Sequence, residues 1–229
     1  MSFIEKSYSG KVFRPRPEIL IENNLDLVII ATPWGPRSSA KKAIQVIRDY
    51  FLSSQQDEEA TSPFSRLTCL SPLANDLRIA VKLANDTLYN EDNKNEYISG
   101  VELFVTARRL QEVAWIQIGY PFVLLNRPQR PLTPFGSQLD MSIEFSLSAK
   151  TLSPLPCKML GLENNSDFSI ESFRPNLNDQ FVLVSRSGVP SEIFGLPAAE
   201  RNLDKISHLL SKNDPSLPFW LGILNLTAS

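Results

Sequence analysis

Between Asn90 and Ile98 the hydrophobic period of this chain passes from helical to alternating or continuous, and that change narrows the folds open to it. Over the fifty or so residues just before it, apolar residues recur at helical spacing. Ala40, Ala43, Ile44, Ile47 and Phe51 predict a helix over 38–53, and Leu73, Leu77, Val81, Ala84 and Leu88 predict a second reaching Asn90. Ser71-Pro72 opens that second helix as a serine cap followed by proline at the first position. After the change, 101–107, 112–118 and 122–125 read as three successive strands. Residues 141–148 alternate strictly, with Met141, Ile143, Phe145 and Leu147 on one face, and predict a half-buried strand. A buried strand at 181–184, a helix at 198–210 and a last strand at 219–226 follow. Upstream, 3–8, 11–13 and 25–31 read as extended, and 53–66 as a polar loop. Strands in runs, with helices grouped between them, favour α+β layers over alternating βαβ units.

Composition excludes several functions. A net charge of −2 argues against a nucleic-acid binder, which carries a basic excess. Apolar runs fall far short of the roughly 20 residues that span a bilayer. The opening MSFIEKSYSG has an early glutamate and no apolar core, unlike a secretory signal. Cys69 and Cys157 make neither a disulfide framework nor a zinc site, and His208 stands alone. A single domain over 1–229, in the cytoplasm and with reduced thiols, is the expectation.

Reactive constellations are sparse. Glu22 with Asp26, and Asp57-Glu58-Glu59, read as solvated acids, and the acids of 83–92 lie on the second helix and its exit. No G-x-S-x-G elbow, P-loop or G-x-G-x-x-G turn is present. Trp115 and Trp220 read as core, whereas Trp34 sits in a turn. That turn, Thr32-Pro33-Trp34-Gly35-Pro36, joins the apolar run Leu27-Val28-Ile29-Ile30-Ala31 to the first helix. It has the form of an active-site turn without a carboxylate, histidine or lysine.

Taken in order, these segments resemble the PP2C-type (PPM) metal-dependent serine/threonine phosphatases. GKVFRPRPE (10–18) has the length of the family's G-x-V-R-x-x-N-E-D, with Glu18 at the aspartate. LVIIATPWGPRSSAKKAIQVIRDYF stands where an apolar strand ends in D-G-M-G-G before a helix, and IAVKLANDTLYN (79–90) is similar to the A-N-x-x-I/L-Y signature. Gly100-Val101-Glu102 takes the place of G-T-T, IGYPFVLLNR (118–127) that of G-D-S-R, and NDQFVLVSRSGVP (178–190) that of the strand ending in S-D-G. The resemblance implies a four-layer α-β-β-α sandwich, two antiparallel sheets flanked by helices. It also implies two divalent cations held by aspartates around a bridging water.

The metal positions depart from that pattern. The bridging aspartate falls on Thr32, the glycine whose carbonyl completes the site on Pro33, the G-D-S-R aspartate on Tyr120 and the S-D-G aspartate on Ser187. The last D-N pair falls on Leu217-Pro218, or on Asp214 in a shifted alignment. Glu18 alone stays in register, and the phosphate-binding arginine becomes Phe13, beside Arg14 and Arg16. The reading is a pseudophosphatase with no catalytic residue, metal or cofactor, serving as a protein-binding or regulatory module. By family analogy its partner is a kinase or another signalling protein. The alternative is a phosphatase with a rebuilt, reduced-metal or metal-free site on Glu18, Asp214 or Asp179. Arg14, Arg16, Trp34, Arg37, Tyr120 and Arg186 are the candidate binding residues, for a protein or a phosphorylated side chain. The bland counterpart is that they plug an abandoned pocket. A homo-oligomer paired through 141–148 or the final strand is a further expectation.

Overall fold

The computed structural model describes residues 1–11, 13–56, 63–136, 158–186 and 189–227. The strand expected at 141–148, the acids at 57–59, Cys157 and Ser187 lie outside them. In chain order the main elements are β1 (Phe3–Tyr8), β2 (Glu18–Glu22), β3 (Leu27–Trp34), α1 (Arg37–Gln56), α2 (Pro72–Thr87), β4 (Gly100–Arg109), β5 (Glu112–Ile118), β6 (Phe122–Asn126), β7 (Thr133–Pro134), β8 (Ser169–Phe173), β9 (Gln180–Ser185), α3 (Leu203–Asn213) and β10 (Phe219–Asn225). They form two compact units.

One unit carries the sheet β2-β3-β4-β5-β8, antiparallel throughout, with α1 and α2 against one face. Leu27, Ile29 and Ala31 point from β3 into this helix-facing core, beside Leu103, Val105 and Ala107 of β4. α1 contributes Ala40, Ala43, Ile47 and Phe51, and α2 contributes Leu77, Ala80, Val81 and Ala84. Val28, Ile30 and Phe104, on the opposite face, are buried as well. Burial on both faces is why this stretch reads as a continuous apolar run rather than an alternation. Ser71 caps α2 as expected, its hydroxyl accepting from the Ala74 N–H at 3.1 Å. Such a cap contributes about 1 kcal/mol.

The other unit carries the antiparallel sheet β1-β10-β9-β6-β7. Ile206 and Leu210 of α3 share its core with Val182, Val184, Leu221 and Ile223. β10 bonds to β1 on one side and β9 on the other, so the final strand offers no free edge for self-pairing.

Several local expectations change. Thr32, Pro33 and Trp34, read as turn residues, belong to β3 and pair with Glu102, Val101 and Gly100 of β4. β2 is a strand that the extended reading of 11–13 did not place, and Lys11 instead donates its N–H to the Ser216 carbonyl at 2.7 Å. α1 runs on to Gln56. The third helix starts at Leu203, because Asn202 is extended and caps it, its side chain accepting from the Lys205 N–H at 2.9 Å. Ala198–Glu200 is a separate turn of 3-10 helix.

Candidate functional site

In the unit built on α1 and α2, β3 ends in the turn that joins it to α1. Gly35 makes the turn possible. Its φ is +117°, and a Cβ there would lie 2.1 Å from the Ile98 carbonyl oxygen. Thr32 is buried, directly opposite Glu102 of β4, and Pro33 opposite Val101. Glu18 pairs with Ala31, one residue short of Thr32. Opposed residues share a face, so Glu18 lies in the row of Ala31 and Leu103, on the α1 side. Arg37, the first residue of α1, forms an ion pair with Glu18, its Nη2 2.8 Å from Oε1. The carboxylate that the sequence comparison places at the family's aspartate is therefore engaged by a guanidinium.

Glu102 entered the sequence reading only as part of the stretch in the place of G-T-T, with no role in a site. Its side chain is fully buried within an apolar strand, VELFVTA, and that one acid among apolar neighbours was the available signal. Directly opposed Cβ atoms in such a pair lie about 5 Å apart, which sets Glu102 beside Thr32, the residue expected from the sequence at the bridging-aspartate position.

The A-N-x-x-L-Y signature has a structural use. Asn85 donates from Nδ2 to the Glu163 and Asn164 carbonyls at 3.0 and 3.3 Å, while Oδ1 accepts from the Gly161 N–H at 2.8 Å and from the Ser166 hydroxyl. This buried amide pins 161–166 to α2.

In the unit built on α3, Tyr120 is buried in the core beside Phe122, ring centroids 5.0 Å apart and edge-on. The Arg14 guanidinium carbon lies 4.2 Å from the centre of the Tyr120 ring, a cation–π pair. Two candidate residues thus meet. Arg186 lies elsewhere in this unit and is fully buried. It donates to the Leu210 carbonyl, to the Asp214 carbonyl at 3.2 Å and to Asn213 Oδ1 at 3.3 Å. It therefore caps the C-terminus of α3, where the helix dipole favours a cation, rather than standing on an exposed binding face. Burial lowers its pKa, opposed by the Asp214 charge.

The acids offered for a rebuilt site have structural partners too. Asp179 is buried and takes two bonds from Arg127, at 2.9 and 2.6 Å, plus the Asn176 N–H at 2.8 Å. Asp214 Oδ1 accepts from the Ser216 hydroxyl and N–H at 2.6 and 2.8 Å, and these bonds hold its pKa below the usual carboxylate value.

Two hard divalent cations need several oxygen anions. Among the described residues no group of three or more His, Cys, Asp or Glu is placed to hold a metal. Thr32, Pro33 and Tyr120 supply no carboxylate at their aligned positions, and Glu18 is paired with Arg37. The described residues at these positions do not fit a two-cation centre.

The architecture is that of the PP2C/PPM serine/threonine phosphatases, an α+β sandwich with two antiparallel sheets. Similar solved structures include the Mycobacterium tuberculosis serine/threonine phosphatase PstP/Ppp, at 14% identity over 99% of each chain with a TM-score of 0.66. The PPM phosphatase MsPP from Mycobacterium smegmatis, in complex with cacodylate, matches at 13% identity over 99% of each chain, TM-score 0.69. A PstP catalytic domain in complex with two manganese ions matches at 14% identity over 98% of this chain and 97% of that one, TM-score 0.63. Identities this low establish the fold. No protein-family model and no curated protein matches the sequence. Among the described residues, no helix is long and apolar enough to cross a membrane.

Proposed function

We propose that this chain is a pseudophosphatase, a PP2C-fold module that binds a protein partner in signalling and does not hydrolyse phosphate esters by metal catalysis. The observation that carries this reading is the Glu18–Arg37 ion pair. It engages the one family-register carboxylate where Thr32 and Pro33 have already replaced the bridging pair. A cation placed there would face the Arg37 charge and find no bridging anion.

A partner surface is supported by the turn itself. Pro36 and Arg37 are exposed and Trp34 is half-buried, while Tyr97 and Ile98, whose carbonyl abuts Gly35, are 65% and 51% exposed. Aromatic and arginine side chains grouped on an exposed apolar surface are the composition of interface hot spots. A tagged chain is expected to capture a protein partner from its host, and substitution of Trp34 and Tyr97 by alanine to abolish capture. Capture unchanged in that variant contradicts the surface assignment.

One observation favours a second reading, an enzyme rebuilt on fewer acids. Buried Glu102 stands opposite Thr32 and could serve a single cation. Under it, manganese binds and Glu102→Gln removes the binding. Under the first reading no manganese binds to either form.

A further inference from the structure

The far end of the same helix-bearing unit holds a cavity of about 380 Å³, lined by Ser54, Gln55, Arg66, Pro72, Asp76 and Arg109. We propose that it binds a small phosphate-bearing anion, inorganic phosphate or a phosphate monoester, at a site separate from the degenerate phosphatase positions. The separation follows from β4. Glu102, opposite Thr32, and Arg109 lie seven residues apart on this strand, or about 23 Å. The proposal is independent of the pseudophosphatase reading.

The charge balance is what points to an anion. Asp76 is 2% exposed, and two guanidiniums converge on it. Arg66 donates to Oδ1 at 2.6 Å, and Arg109 reaches Oδ2 at 3.4 Å. Gln55 ties the group together, accepting from Arg109 and donating to Asp76 Oδ2 at 3.4 Å. Among the described residues that line the cavity, two cations stand against one carboxylate, with Glu112 directly opposite Arg109 across the hairpin. The Glu112 carboxylate of the same hairpin accepts from the Ser71 hydroxyl and is not part of the lining.

Geometry adds to charge. Each arginine carries five N–H donors, and Asp76 and Gln55 use only some of them. Arg66 and Arg109 remain 39% and 38% exposed at the cavity wall. Their forks are held by a buried anchor, so less side-chain freedom is lost when a ligand arrives. Guanidinium pairs bidentately with phosphate oxygens, which suits a ligand presenting several anionic oxygens. The volume falls within the range of small-molecule sites.

The test is calorimetric titration of the full chain at constant ionic strength, with inorganic phosphate in one arm and glycerol phosphate in the other. Saturable binding of either is expected. Tighter glycerol phosphate identifies a monoester site, and equal affinity a site for free phosphate. Arg109→Gln is expected to weaken binding about tenfold or more. Should that variant fail to fold, Arg109→Lys keeps the charge without the fork and is also expected to bind more weakly. No saturable binding in either arm overturns the proposal, as does affinity unchanged in the Arg109 variants.

Discussion

Arg37, at the first position of α1, holds its guanidinium 2.8 Å from Glu18 at the start of β2. A cation at a helix N-terminus opposes the helix dipole, and the Glu18 carboxylate offsets it there. With Arg37 70% exposed, the pair is worth at most about 1 kcal/mol. Arg37→Ala is therefore expected to shift the urea midpoint only slightly. It also releases Glu18, yet no manganese uptake is expected, because Thr32 and Pro33 still supply no bridging anion. Manganese binding gained by this one substitution would show the ion pair to be the sole block.

Arg186 is expected to matter for stability rather than recognition. Arg186→Met removes the charged donor from the Leu210 and Asp214 carbonyls at the end of α3, which keep only the Asp214 and Leu217 N–H groups at 3.5 and 3.4 Å. Hydrogen bonds from a charged donor contribute about 1.5–3 kcal/mol each, so with the backbone donors retained a loss of about 2–4 kcal/mol is expected in urea unfolding. A neutral result would contradict the capping role.

Asn85 gives a comparable prediction in the other unit. Asn85→Ala removes one amide that serves four partners, at an expected cost of about 2–4 kcal/mol. Backbone amides at 161–166 should then exchange with solvent much faster, while those of β4 keep their protection. Uniform loss of protection would show that the amide does more than pin that loop.

The Asp214 contribution has a definite pH window. Its folded pKa is lowered by the two Ser216 bonds, so the stabilisation is fully present above the unfolded value, about 3.9. It is lost as pH falls below that value through the folded one. Urea midpoints of wild type and Asp214→Ala should differ at pH 6 and converge towards pH 2. A difference that persists at the acid end would place the stabilisation elsewhere.

Much of this fold was legible because its signals are local. The Ser71-Pro72 cap, the apolar stripe of α1 and the run 112–118 each fix an element without reference to the rest. β2 was harder, since Glu18–Glu22 is a short strand whose hydrogen bonds come from β3. The aligned metal positions could be read for what they lack, but not for what replaces it. The Glu18–Arg37 pair depends on the entry of α1 beside β2, and the burial of Arg186 depends on where α3 ends. Neither distance is encoded in spacing along the chain. Glu102 was visible as an acid in an apolar strand, but its place opposite Thr32 required the β3–β4 register.

The central claim is that metal-dependent phosphatase chemistry has been lost, and turnover of an aryl phosphate by the purified chain with manganese tests it most directly. The account predicts no release of phenolate above the protein-free rate at any manganese concentration, and no saturable manganese uptake in a parallel calorimetric titration. Manganese-dependent turnover that is saturable in substrate, and lost on Glu18→Ala or Glu102→Gln, would contradict it.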